Sequence, residues 1–181
     1  MSNIKKQKLI IQAAMLAALS ILLYFIPAIP TEWGMKLDFI AIPWLISLLL
    51  LGGVGGFLTA IVSTGILGFM SASGWVGMSA KFLSTGVFML AIVAFQWHFK
   101  KLTPKLLGLA FVAGVILRCA IMIFANYYYF LPIWLNETPE VLMQHFPAWM
   151  IVVPNIIQSG IDMTIPVYLL YFTKLKKRIS G

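Results

Sequence analysis

The sequence predicts an all-α integral membrane protein: one domain of six transmembrane helices with both termini in the cytoplasm. Three observations predict it. Of 181 residues, 61% are hydrophobic and only 10% charged, which leaves too little polar surface to coat a soluble domain. Several uncharged runs reach the roughly 20 residues that a bilayer crossing needs. The basic residues cluster, ten of the 13 Lys and Arg falling in three stretches: Lys5, Lys6 and Lys8; Lys100, Lys101 and Lys105; and Lys174, Lys176, Lys177 and Arg178. The positive-inside rule puts those stretches in the cytoplasm and leaves Glu32, Asp38, Glu137 and Glu140 in connectors facing out.

The elements follow in order. The first run, 9–26, ends at Pro27 and Pro30 and is expected to stay as a helix, because no small-residue cleavage site follows it. The 32 uncharged residues from Phe39 to Met70 would make a helix of about 48 Å, longer than a hydrocarbon core of about 30 Å. Gly52, Gly53, Gly55 and Gly56 near its middle allow a tight hairpin, giving helices over 39–51 and 55–71. Charge parity requires the same division, since the N-terminus and the Lys100 connector share a side only after an even number of crossings. A helix over 78–98 completes that set, and helices over 104–127 and 149–172 return the chain to the cytoplasm. Within the outward stretch 130–147, Thr138 is placed to open a short helix.

Several chemistries lack their reagents. No GxxxxGK[ST] loop is present to cradle a nucleotide phosphate, and His98 and His145 are expected at opposite membrane faces, so neither ATP hydrolysis nor a histidine metal site is indicated. The single Cys119 cannot form an internal disulfide, and no paired carboxylates stand ready for a proton relay. Catalytic residues, a metal and a cofactor are therefore not expected. The basic balance suits topology and anionic lipid; no nucleic-acid module accompanies it.

Polar groups inside the spans carry the signal, since a central charge costs roughly 2.5–3.5 kcal/mol on insertion scales. Arg118 and Asp162 fall at mid-membrane depth on consecutive long helices running in opposite directions and are expected to form a structural ion pair. Asn155, Gln158, Ser159 and Asp162 recur at i, i+3, i+4 and i+7, on one helix face that must look into protein or water. Asn126 and Lys81 fall at similar depth on two other helices, so the group favours an outward-open pocket over interhelical polar glue. The loop TEWGMKLDF brings Lys36 and Asp38 to the mouth of the second helix. Trp33, Trp44, Trp75, Tyr127, Tyr128, Tyr129, Phe130, Trp134 and Trp149 crowd the same side, mostly as interfacial anchors, with a subset available to stack on a planar ligand. In the first helix, Ala13 with Ala17 and Ala14 with Ala18 form two small-xxx-small pairs, suited to another helix of this chain or to a separate membrane subunit.

These residues together resemble the substrate-binding S component of an energy-coupling factor (ECF) vitamin transporter, most closely its riboflavin-specific branch. The resemblance covers nearly the whole chain and is carried by the alanine stripe, MKLDFIAIPWL (35–45), GGVGG (52–56), GWVGMSAKFL (74–83), ANYYYFLP (125–132) and VPNIIQSG (153–160). It implies a plasma-membrane protein with a vitamin bound near the outer face and the first loop acting as a gate. It also implies a transmembrane T subunit and two cytoplasmic ATPases, docked through Ala13, Ala14, Ala17 and Ala18. Asn126 and Asn155 match ligand-binding asparagines, and Lys36, Leu37 and Asp38 match the first-loop motif. The ligand set expected is Lys36, Leu37, Asp38, Lys81, Asn126, Asn155, Gln158 and Ser159, with riboflavin or a related compound as transported ligand.

The chain departs from that pattern at Gln158, where riboflavin-type members usually carry Lys, at Ala60, Ser63 and Thr64, where they carry Glu, Lys and Asn, and at Lys81, where they carry Asn. A modified flavin, or another small planar vitamin or precursor, stays open. Two readings of other classes are a membrane interaction or assembly protein with structural polar groups, and a small ion-coupled carrier. Asp162 as the one expected intramembrane carboxylate weakens the carrier.

Overall fold

Proline and glycine decide where the helices begin, break and end. The computed structural model describes residues 3–31, 36–99 and 103–172. Glu32, Trp33, Met35, Lys100, Lys101, Lys174, Lys176, Lys177 and Arg178, named above, lie outside the described residues. The first helix, α1 (Asn3–Tyr24), starts earlier than 9 because its lysines do not oppose helix, and it stops short of 26, ahead of Pro27, which disfavours helical geometry in the residue before it. Two short strands, β1 (Ile29–Pro30) and β2 (Lys36–Leu37), pair antiparallel and form a strap across this end of the bundle.

The runs expected over 39–51 and 55–71 form one helical element, α2 (Ile42–Met70), broken at the single residue Gly52. There φ is 82° and ψ −176°, a region that belongs almost wholly to glycine. The break reverses the chain. Thr59 Oγ1 donates to Ser47 Oγ at 2.9 Å, and Trp44 Nε1 donates to Ser63 Oγ at 2.7 Å. Along a continuous helix those pairs would be about 18 and 28 Å apart, so the two arms lie side by side and antiparallel. The arms approach closely at Gly56, where a Cβ would stand 2.9 Å from Leu48 Cβ and 3.0 Å from Leu48 Cα.

Helix α3 (Gly74–Phe99) starts ahead of the expected position 78, because Gly74, at φ 56°, turns the chain directly out of α2. Helix α4 (Pro104–Ala125) is capped by Thr103, whose side chain accepts the Leu106 N–H, and takes Pro104 at its first turn, where no donor is needed. Instead of ending near 127, it runs through a wide π-type turn, Asn126–Phe130, into α5 (Leu131–Leu135). Asn136, in the left-handed region, ends α5, and Thr138 precedes α6 (Pro139–His145). The Glu140 backbone N–H and the Thr138 side chain hold the Glu140 carboxyl below the usual carboxylate range. Helix α7 (Trp149–Phe172) closes the chain.

Five of these helical stretches are long and apolar enough to cross a membrane: Asn3–Tyr24, Ile42–Met70, Gly74–Phe99, Pro104–Leu135 and Trp149–Leu170. Their packing forms two apolar clusters. Trp44, Leu45, Leu48, Phe88, Met89 and Ile92 fill the space between α2 and α3, and Met122, Tyr127, Phe130, Leu142 and Ile151 join the end of α4 to α6 and α7. The polar site lies where these clusters leave a gap.

Candidate ligand-binding site

A cavity of about 1130 Å³ opens at the end of the bundle that carries the strap. Its walls come from the end of α1, the strap, the 71–73 turn, the first half of α3, the end of α4 and the start of α7. Of the residues singled out from sequence, Lys36, Leu37, Asp38, Lys81, Asn126, Asn155 and Gln158 line it. Ser159 does not. It sits one helical turn below Asn155, fully buried, donating to the Asn155 carbonyl and accepting from Arg118.

One polar chain runs from the mouth to the interior. At the mouth, Lys81 Nζ lies 2.9 Å from Asp38 Oδ1, an ion pair with its side chains largely shielded. The same carboxylate oxygen accepts the Ile40 N–H, which fixes the turn into α2. Gln158 then joins Asp38 to Asp162: its Nε2 donates to the Asp38 carbonyl at 2.8 Å and to Asp162 Oδ1 at 2.7 Å, while its Oε1 accepts the Asp38 N–H at 3.0 Å. Arg118 and Asp162, 2% and 0% exposed, meet with Nη1 3.2 Å from Oδ2. Arg118 also donates from Nε to Asn155 Oδ1 at 2.9 Å and from Nη1 to Ser159 Oγ. The arginine is thus held by three acceptors, which offsets the desolvation that burial imposes.

The helical spacing explains this convergence, since Asn155, Gln158, Ser159 and Asp162 share the face of α7 that packs on α4 and α2. Asn126 sits in the wide turn after α4, its Nδ2 donating to the Met122 carbonyl, and it lines the cavity. Such turns displace a helix by one residue and recur at functional sites. Among the described residues the lining carries the cations Lys36, Lys81 and Arg118 against one carboxylate, Asp38, amid apolar walls of Ile40, Met78, Met122 and Ile151. Orienting polar groups in an apolar cleft suit a small planar ligand with hydrogen-bonding edges. Among the described residues no three His, Cys, Asp or Glu side chains gather as metal ligands would.

The structure adds Arg118, Met122, Trp134 and His145 to the cavity wall. Arg118 was legible as a partner of Asp162, while His145 and Trp134 reach the cavity only through the fold of α5 and α6. Trp44 departs from the anchor reading: it is fully buried, donating to Ser20 Oγ at 3.0 Å as well as to Ser63. Trp75, Tyr128, Tyr129, Trp134 and Trp149 stay about half exposed. The alanine stripe also divides. Ala13 and Ala17, each 1% exposed, pack inside the chain, the Ala13 carbonyl lying 3.3 Å from Thr59 Oγ1, whereas Ala14 and Ala18 face out. Ala13 and Ala17 are therefore removed from any docking surface.

Comparison with known proteins agrees with this architecture. A family model described as the substrate-specific component of ECF transporters matches residues 8–177. The riboflavin transporters RibU of Lactococcus lactis subsp. cremoris, strains NZ9000 and MG1363, are 30% identical over 139 residues, covering 71% of this chain and 65% of theirs. The match thus spans just under two thirds of those relatives' length. RibU of Staphylococcus aureus strain TCH60 is 29% identical over 136 residues, covering 73% of this chain and 70% of its own. A solved S component of a bacterial ECF transporter has the same fold, with a TM-score of 0.77 at 23% identity over 97% of this chain and 99% of that one. With a matching family model over nearly its full length and a multi-pass helical fold, the chain belongs to the substrate-specific components of ECF transporters.

Proposed function

We propose that this chain captures riboflavin or a closely related flavin outside the cell and delivers it for ATP-driven uptake. The observation that carries the reading is the cavity itself: an apolar cleft into which Asn126, Asn155, Arg118 and Lys81 converge from three helices. The RibU relatives support the choice of flavin. In this reading the chain crosses the plasma membrane six times, α2 contributing two crossings through its reversal at Gly52, with both termini cytoplasmic and the strap outside. A T subunit and two ATPases supply the energy, and Ala14 and Ala18 form the face on which the T subunit packs. Release inward then needs only a lower affinity in the docked state.

Titration of the purified, ligand-free protein with riboflavin tests this directly. One-to-one quenching of flavin fluorescence with sub-micromolar affinity is the expected result. The ion pair of Lys81 with Asp38 at the mouth favours one alternative, a ligand whose edge differs from riboflavin. Mass spectrometry of the compound retained through purification separates the two: a retained vitamin or precursor other than a flavin, together with no riboflavin quenching, refutes the flavin assignment. Absence of any retained or titratable vitamin refutes capture altogether.

A further inference from the structure

Among the described residues, Gln158 is hydrogen-bonded to both the strap and the buried ion pair, and its chemistry fits that position closely. A carboxamide carries two N–H donors and a carbonyl acceptor. One N–H goes to the Asp38 carbonyl, the other to Asp162 Oδ1, and the carbonyl takes the Asp38 N–H. Gln158 thereby exchanges two bonds with the Asp38 backbone, as a residue of a neighbouring antiparallel strand would. The grip is independent of the Asp38 side chain, which is held separately by Lys81. Gln158 is 4% exposed, so water does not compete for these bonds. An ammonium at this position offers donors alone and a carboxylate acceptors alone, so neither makes both bonds to Asp38.

We propose that Gln158 is a positioning residue: it pins the strap at Asp38 to α7 and ties strap closure to the Arg118–Asp162 pair, thereby slowing ligand escape. Its amide is committed to the strap and the ion pair rather than to ligand recognition. Arg118 lines the cavity, so a ligand seated against Arg118 and Asn155 bears on Asp162 and, through Gln158, on the strap. The consequence for ligand rests on the flavin reading above; the pinning of the strap does not.

The test therefore begins without ligand. Leu37, beside Asp38 in the strap, is 9% exposed, and a single cysteine there, L37C in a C119S chain, reports strap opening through its rate of maleimide labelling. Losing the two bonds to Asp38, Q158L should raise that rate at least about tenfold. In a separate chain that keeps Leu37, the native Cys119, buried on α4, should label as slowly with Q158L as without it. An unchanged rate at position 37 overturns the proposal; so does a parallel rise at Cys119, which marks general loosening. If Q158L does not fold, Q158N, too short to reach Asp38 from the same backbone, carries the same expectations. With riboflavin bound, stopped-flow release should be faster in the variant by a similar factor, and equal release rates overturn the proposed effect on escape. Failure of the unaltered protein to bind riboflavin overturns the flavin reading while leaving the labelling result to stand or fall alone.

Discussion

Removing either partner of the Arg118–Asp162 pair leaves a charge in a site 2% or less exposed, and the geometry fixes how much that costs. Breaking a buried pair from one side typically costs about 3–5 kcal/mol. Asp162 uses both carboxylate oxygens as acceptors, Oδ1 from Gln158 and Oδ2 from Arg118. An asparagine there must therefore turn its NH₂ against one of two donors, so D162N loses a charge and gains a donor–donor contact. R118M leaves Asp162 with Gln158 alone and strips Asn155 Oδ1 of its donor. In the double variant R118M/D162N neither charge remains, the asparagine oxygen is free to accept from Gln158, Ser159 still donates to the Asn155 carbonyl, and Gln158 keeps its bonds to Asp38. Each single variant should lower the melting temperature of ligand-free protein by about 6–20 °C, taking about 2–4 °C per kcal/mol for a chain of this size. The double variant should lose less than the sum, by a coupling of about 1–3 kcal/mol. Thermal unfolding of all four proteins in one detergent closes the cycle. Additive losses would refute the argument that these two charges offset each other's desolvation.

G52A should cost about 1–3 kcal/mol, seen as a lower melting temperature, because the site has open space but a backbone that only glycine adopts freely; an unchanged midpoint would show that the reversal tolerates another geometry. W44F should cost about 2 kcal/mol, combining lost bonds to Ser20 and Ser63 with lost volume in a fully buried site, and a thermal midpoint equal to that of the unaltered protein would contradict this. On the proposed function, A14W or A18W should leave riboflavin affinity intact and abolish ATP-dependent uptake in vesicles containing the coupling subunits, whereas A13W should destabilise the chain itself; normal uptake by the outward variants would remove that face from docking.

Much of the fold was legible because a membrane forbids unpaired polar backbone, so apolar run length and basic clusters carry most of the information. The glycine cluster marks where the run from Phe39 to Met70 can break, but four glycines cannot say which of them takes positive φ. Only the contacts of Ser47 with Thr59 and of Trp44 with Ser63 locate the turn at Gly52. Trp44 shows the matching failure. A tryptophan near a span end usually anchors at the interface, and its two serine acceptors lie 24 and 19 residues away, so nothing local signals that its indole N–H is satisfied inside.

The alanine stripe could have been divided from geometry alone. Adjacent positions on a helix are about 100° apart, so the pair Ala13 and Ala17 and the pair Ala14 and Ala18 cannot both face the same neighbour. The sequence could not say which pair turns inward, because that depends on the path of α2, whose Thr59 reaches the Ala13 carbonyl. A similar limit applies to α7. Period 3.6 places Asn155, Gln158, Ser159 and Asp162 on one face, yet depth along that face decides what each does: Asn155 and Gln158 reach the cavity, while Arg118, crossing from α4, stands over Ser159 and Asp162. Arg118 thus stands between the part of that face that reaches the cavity and the part below it, so variants at Ser159 should act on affinity through Arg118, and variants at Asp162 through Arg118 and, by way of Gln158, through the strap.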